Sequence, residues 1–176
     1  MSDTQPNGVY TITIEAPIER VWAEITDTDK VLNCFFGNRL VTPGLELGAP
    51  IRMRTPNDKY TGVAGTVLEF DPPHRYSISF KFTHLDDPPC KLTYVLKEVD
   101  GGTEFTLIQE EMALGSKTEK TMNQGVNFVL QTLKADAEDR PLPFMSKFIL
   151  FLCAITTPFM SKKSLKENWP FDKEIR

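Results

Sequence analysis

The sequence contains few of the residues from which metal sites and disulfide frameworks are built. Its 176 residues include three cysteines and two histidines. Cys34, Cys90 and Cys153 are odd in number and widely spaced, and no CxxC pair occurs, so a disulfide framework is not indicated. His74 and His84 have neither a cysteine nor another histidine at ligand spacing, which argues against a zinc site. We therefore expect a reduced protein that holds no metal and no other cofactor.

Catalytic motifs, long apolar runs and a positive net charge are also missing. No GxSxG, HExxH, P-loop or GxGxxG motif occurs. The most apolar stretch, residues 144–160, is interrupted by Lys147 and Pro158 and is shorter than the about 20 residues that span a bilayer. The polar start of the chain lacks the features of a secretory signal, which favours a cytoplasmic protein. A net charge of -4 argues against a nucleic-acid partner.

One long amphipathic helix is the clearest element that the sequence does contain. Residues 117–139 have sustained helical periodicity, and polar side chains occupy the opposite face. The apolar stripe consists of Met122, Val126, Val129, Leu130 and Leu133. A helix of this kind needs an apolar surface to pack against.

The segments before this helix predict that surface to be a β-sheet. Residues 8–15 alternate as a strand, residues 18–26 form an amphipathic helix, and residues 27–36 are predicted to form a second short helix. Strands and turns then alternate through residues 49–112, with glycines that predict a bulge or bend within residues 60–70. We therefore expect an α+β fold in which a curved antiparallel sheet of about seven strands wraps around the long helix.

The alternation of side chains along the strands predicts which of them face the long helix. In the strand predicted over residues 75–83, Tyr76, Phe80 and Phe82 share a face with Ile78. In the next strand, over residues 91–99, Leu92 and Tyr94 share the corresponding face. The same parity turns Gln109 and Glu111 inward in the last strand, whereas Arg52 and Arg54 are expected on a solvated face. Two inward polar groups need partners, because an unpartnered one is costly to bury.

The order of elements and several local sequences resemble a known superfamily over about residues 9–138. The similar segments read EAPIERVWAEITD, GAPIRMR, GTVLEFDPP, GGTEFTLIQEE and QGVNFVLQTLKADAE. They resemble the START and birch-pollen-allergen (SRPBCC) superfamily, in its polyketide cyclase-like and AHSA-like (heat-shock ATPase activator homologue) branch. The resemblance implies the helix-grip fold, whose members hold hydrophobic ligands between the sheet and the last helix.

The sequence differs from that branch at two places where the family usually has a tryptophan. It reads Cys34-Phe35-Phe36 after the predicted second helix and Gly125-Val126 in the long helix. Both departures replace a large ring with a smaller side chain, which predicts an enlarged or reshaped cavity.

These observations predict binding of a small hydrophobic or amphipathic ligand between the sheet and the long helix. An alternative is a cyclase or dehydratase acting on a polyketide-like substrate, with Glu111 or Tyr94 in proton transfer. Another alternative is an interaction module that modulates a chaperone ATPase. For Glu111 a purely structural role is also open, in which its carboxylate binds backbone amides at the start of the long helix. The predicted ligand-binding residues are Met53, Ile78, Phe80, Phe82, Tyr94, Gln109, Glu111, Met122, Val126 and Val129.

The chain changes character after the long helix. We expect one domain over residues 1–140 and an apolar, basic extension over residues 141–176. Within the extension, apolar residues recur at helical spacing through residues 144–159, and the lysine-rich sequence SKKSLK follows. Three alternatives remain: packing on the same domain, a homodimer contact, or peripheral contact with a membrane. The sequence favours packing or dimerisation.

Overall fold

A computed structural model describes residues 6–175, which contain eight strands and three α-helices. The strands are β1 (Gly8–Ile14), β2 (Val31–Leu32), β3 (Asn38–Val41), β4 (Pro50–Arg54), β5 (Thr61–Asp71), β6 (Arg75–Phe82), β7 (Cys90–Val99) and β8 (Gly102–Glu110). The helices are α1 (Ile18–Thr26), α2 (Lys117–Ala137) and α3 (Phe144–Thr156). In this part of the chain, no helix combines the length and apolar character needed to cross a bilayer.

The strands form one antiparallel sheet that curls into a half-barrel around α2. Its order is β1-β8-β7-β6-β5-β4-β3-β2. The predicted α+β helix-grip fold is confirmed, with eight strands rather than about seven among the described residues. The additional strand is β2, which pairs with β3 at the edge of the sheet.

The predicted second short helix over residues 27–36 is wrong. Asp27 already has extended backbone angles, and its carboxylate accepts a hydrogen bond from the amide of Asp29. Val31 then pairs with Arg39, so pairing in the sheet prevails over helix formation. Only residues 33–35 are helical, in a single 3-10 turn that ends at Phe36 with φ of 57°.

The long helix matches its sequence prediction closely. It starts after Ser116, whose hydroxyl accepts a hydrogen bond from the amide of Glu119, the arrangement of a good N-cap. Leu130 and Leu133 are buried in the core, whereas Met122, Val126 and Val129 are only partly buried. This difference along one stripe arises because the first half of α2 faces a cavity.

The sheet bends at two register shifts in β5. Gly62 is the additional residue opposite the Met53/Arg54 step of β4, and Leu68 is the additional residue opposite β6. Val67 and Phe70 are three positions apart, and both face inward because the additional residue Leu68 lies between them. Val67 is buried, and Phe70 contacts Trp22. The predicted bulge in this strand is therefore present, and it increases the curvature of the sheet.

The C-terminal segment crosses the outer face of the sheet and covers Arg52. The prediction that Arg52 lies on a solvated face is wrong, because its side chain is fully buried. Its guanidinium donates to the carbonyl oxygens of Trp169 at 3.0 Å and of Pro170 at 2.6 Å. Arg54 is also largely covered, pairs with Asp58 and lies 5.5 Å from the ring centre of Phe171. The division of the chain at residue 140 stays a prediction.

Candidate functional site: a cavity between the sheet and the long helix

A cavity of about 280 Å³ lies between the inner face of the sheet and the first half of α2. Strands β4 to β8 form its floor, the segment around the 3-10 turn at residues 33–35 forms one wall, and α2 forms the other. The lining is overwhelmingly apolar. It contains Cys34, Phe35, Phe36, Asn38, Met53, Gly62, Val63, Phe80, Phe82, His84, Leu92, Tyr94, Leu107, Gln109, Thr121, Met122, Gly125, Val126, Val129 and Met160.

Eight of the ten predicted ligand-binding residues line this cavity, and whether they bind a ligand stays a prediction. The eight are Met53, Phe80, Phe82, Tyr94, Gln109, Met122, Val126 and Val129. Ile78 shares their strand face but is packed completely into the core, so it does not reach the cavity.

The prediction that Glu111 points inward is wrong. Strand β8 ends at Glu110, and Glu111 adopts a left-handed backbone conformation with φ of 60°. Its side chain is exposed and lies outside the cavity lining. Strand parity cannot be extended beyond the last paired residue, and this is the physical reason for the error.

Several lining residues were not included among the predicted ligand-binding residues although the sequence contained a signal for them. Leu92 and Leu107 share strand parity with Tyr94 and Gln109, so the same argument identifies them. Both places where the sequence departs from the resembling branch also contribute to the lining, through residues 34–36 and 125–126. Met160 carried no such signal, because it enters from the C-terminal extension.

The aromatic ring of Phe36 fixes the position of α2 over the cavity. It stacks on Phe128 with 4.3 Å between ring centres, and it lies over Gly125, where an added Cβ atom would be 3.2 Å from the ring. A side chain at position 125 would therefore be crowded by the ring of Phe36.

Gln109 is the polar group that distinguishes the cavity from an ordinary apolar core. Its side chain is fully buried, yet neither the amide nitrogen nor the amide oxygen has a hydrogen-bond partner among residues 6–175. Leaving a buried polar group unpaired costs about 1–3 kcal/mol. Since Gln109 is one of the lining residues, its carboxamide is an unpaired donor and acceptor beside space that a ligand could occupy.

The titratable groups of the lining are neutral near neutral pH. Burial raises the pKa of the Tyr94 phenol well above its ordinary value, and burial also raises the pKa of the Cys34 thiol. The Cys34 thiol donates to the carbonyl oxygen of Glu24 at 3.3 Å. At the mouth of the cavity, partial burial lowers the pKa of His84. No side chain of the described lining carries a formal charge near neutral pH.

A second space of about 380 Å³ adjoins the mouth of the cavity beneath α3. The two spaces share Phe36, Asn38, Gly62 and Met160, and Leu150 and Cys153 of α3 also line the second one. The C-terminal extension therefore forms part of the entrance to the cavity. Within the described residues, no cluster of three or more metal-ligating side chains occurs.

Sequence comparison identifies the family of this chain. A profile of the family described as activator of Hsp90 ATPase homolog 1-like protein matches residues 15–138. The chain belongs to this family. The match covers α1, strands β2 to β8 and α2, and it ends before the C-terminal extension. No curated protein matches the chain.

Solved structures with low sequence identity share the family fold. CalU16 from Micromonospora echinospora is 19% identical with a TM-score of 0.61, over 84% of this chain and 85% of that protein. Protein MLL2253 from Mesorhizobium loti is 16% identical with a TM-score of 0.64, over 77% and 98% of the two chains. The Aha1 dimer from Colwellia psychrerythraea is 18% identical with a TM-score of 0.60, over 74% and 94%.

Proposed function

We propose that this protein binds a compact, largely apolar small molecule whose single polar group pairs with the carboxamide of Gln109. The observation that carries the proposal is the fully buried, unpartnered amide of Gln109 in a largely apolar cavity. Apolar pockets with a few directed polar groups are typical of small-molecule sites. A ligand that offers both a donor and an acceptor, such as an amide, a lactam or a protonated carboxylic acid, satisfies both atoms of the carboxamide.

The size of the cavity restricts the ligand further. An apolar cavity of about 150 Å³ holds one benzene molecule. The cavity here is about 280 Å³, which corresponds to a ligand of roughly two rings. A compact bicyclic molecule therefore matches the volume of this cavity.

The charge state of the lining supports binding rather than acid-base catalysis. A cyclase or dehydratase needs a group that gives or takes a proton near neutral pH. Glu111 lies outside the lining, and the raised pKa of Tyr94 makes its phenol a poor proton donor. Modulation of a chaperone ATPase is the alternative suggested by the family description, but such a contact does not require an apolar cavity. We also propose that the protein is cytoplasmic, because its three cysteines are free.

A pair of isosteric probes tests the role of Gln109. We expect the wild-type protein to bind naphthamide about tenfold more tightly than isopropylnaphthalene, because only the amide completes two hydrogen bonds with the carboxamide. In Gln109→Leu the preference should reverse. Displacement of the fluorescent probe phenylnaphthylamine gives both dissociation constants. An unchanged preference for the amide in Gln109→Leu would contradict the proposal.

Filling the cavity tests whether binding occurs there at all. Val126 lines the cavity from α2, so Val126→Phe should displace the ligand volume and reduce probe affinity at least about tenfold. The matched control is Val9→Phe, because Val9 is 54% exposed on β1 and lies outside the lining. Equal affinities for the two variants would place the probe elsewhere. Native mass spectrometry of gently purified protein then searches for the natural ligand.

A further inference from the structure

Helix α3 turns its large apolar side chains away from the protein. Its exposed large apolar residues fall within an arc of roughly 120° at about 100° per residue. Phe144 is 82% exposed, Phe151 is 60% exposed, and Phe159 in the following turn is 87% exposed. We call this surface the α3 apolar face, and it consists of Phe144, Met145, Phe148, Phe151, Leu152, Ile155 and Phe159.

The opposite side of α3, which contacts the protein, is the more polar one. Ser146 is buried and its hydroxyl accepts a hydrogen bond from Thr132 of α2 at 3.3 Å. Cys153 and Thr157 face the second space beside the cavity mouth, together with Leu150. A helix that packs on its own domain normally has the reverse arrangement. The α3 apolar face is therefore built to contact something outside this chain, since monomers rarely expose a large contiguous apolar patch.

The charges beside this face indicate the kind of surface that covers it. Residues 141–166 contain four lysines and no acidic residue, although the protein as a whole has a net charge of -4. Lys163 pairs with Asp86 and Lys166 pairs with Asp58. Within residues 6–175, Lys147 and Lys162 have no carboxylate partner. A second copy of α3 would bring the same lysines and no carboxylate, whereas an anionic lipid surface complements them.

We propose that the α3 apolar face docks on an anionic bilayer surface, with α3 lying in the plane of the interface. Its 13 residues are too few to span a bilayer, Pro143 precedes the helix, and Pro158 lies in the turn after it. Apolar side chains enter the boundary between headgroups and acyl chains, and Lys147 and Lys162 contact the lipid phosphates. This proposal does not depend on a ligand in the cavity.

Vesicle co-sedimentation of the full chain tests the docking. We expect binding to phosphatidylcholine vesicles that contain about a third phosphatidylserine, and about tenfold weaker binding to phosphatidylcholine alone. Added salt should weaken the binding to the anionic vesicles. Phe151→Asp should abolish binding, whereas Leu47→Asp should not, because Leu47 is 75% exposed but lies far from α3 in sequence and outside the α3 apolar face.

Two further variants separate the electrostatic contribution from general effects of charge. Lys147→Glu should reduce binding to the anionic vesicles about tenfold. Lys97→Glu makes the same change of charge at an exposed position of β7 and should leave binding unchanged. Thermal unfolding of each variant shows whether it is folded. Gln109→Leu should bind vesicles as the wild type does, so failure of the ligand proposal is distinguishable from failure of this one.

Three results would overturn the docking. The first is a wild-type protein that does not sediment with anionic vesicles. The second is equal sedimentation of Phe151→Asp and wild type. The third is a dimer, measured by light scattering, that Phe151→Asp converts to a folded monomer while neither form binds vesicles, which would assign the α3 apolar face to a second copy of the chain.

Discussion

Gly65→Ala is expected to destabilise the protein by about 3 kcal/mol or more, at the upper end of the effects of single substitutions. A Cβ atom on Gly65 would lie 1.9 Å from the carbonyl oxygen of Ser79, which belongs to the backbone of β6. A backbone atom in a paired strand cannot move aside without breaking the pairing of β5 with β6. Urea unfolding followed by circular dichroism measures the loss of stability.

Gly62→Ala is the matched control for this prediction. Gly62 lies in the same strand, and the nearest atom to an added Cβ is the carbonyl oxygen of Met53 at 3.9 Å. This is an ordinary contact distance, so the change should alter the free energy of unfolding by less than about 0.5 kcal/mol. If the two variants have the same unfolding midpoint, the close approach of β5 and β6 at Gly65 is not present in solution.

Gly65→Ala should also affect the cavity, because the curvature of the sheet shapes one end of it. The bend of β5 brings Val63 and Met53 around the end of the cavity toward α2. If Gly65→Ala folds at all, its strands β5 and β6 must separate or flatten near Ser79. We therefore expect weaker binding of the phenylnaphthylamine probe to any folded fraction of this variant.

Strand parity predicted the cavity floor from sequence because the apolar side chains of each strand share one face, the one turned toward α2. Once Tyr94 is placed inward, the two-residue repeat places Leu92 inward as well. The same repeat failed at Glu111, which follows the last paired residue of β8. It was also ambiguous in β5, because the additional residue at Leu68 changes the inward set and the sequence does not show where a strand will bulge.

The contacts of the C-terminal extension were beyond sequence reasoning for a different reason. Parity correctly placed Arg52 on the face of β4 opposite Met53, but parity does not say what covers that face. Covering it requires the chain to return after more than a hundred residues, and no local pattern encodes this return. Likewise, the spacing of apolar residues in α3 predicted a helix but not that the apolar side would face outward.

Arg52→Met is expected to destabilise the protein by about 3 kcal/mol or more and to release the C-terminal segment from the sheet. The guanidinium is fully buried, and its contacts are backbone carbonyl oxygens on both sides of the interface. It donates to Ile51 at 2.7 Å and Gly65 at 3.2 Å within the sheet. From the segment that crosses over it, Trp169 and Pro170 accept. Methionine fills similar space but leaves these carbonyls without their donors.

Hydrogen exchange and urea unfolding together measure this effect. In Arg52→Met, the amides of residues 160–175 should exchange faster than in the wild type, even under conditions where the sheet remains protected. Arg39→Met is the matched control, because Arg39 is exposed on the neighbouring strand β3, and it should change the stability by less than about 0.5 kcal/mol.

The Arg52→Met variant also tests what holds α3 against the rest of the protein. On its N-terminal side α3 is held to α2 through Ser146, and on its C-terminal side the segment after it is fastened across β4 through Arg52. If Arg52→Met loosens that segment, α3 remains attached to α2 through Ser146, and the ion pairs of Lys163 with Asp86 and of Lys166 with Asp58 still hold the chain that follows it. If residues 160–175 remain protected in Arg52→Met, the attachment instead comes from Trp169, which is 6% exposed, and from the bridge between Tyr60 and Leu165.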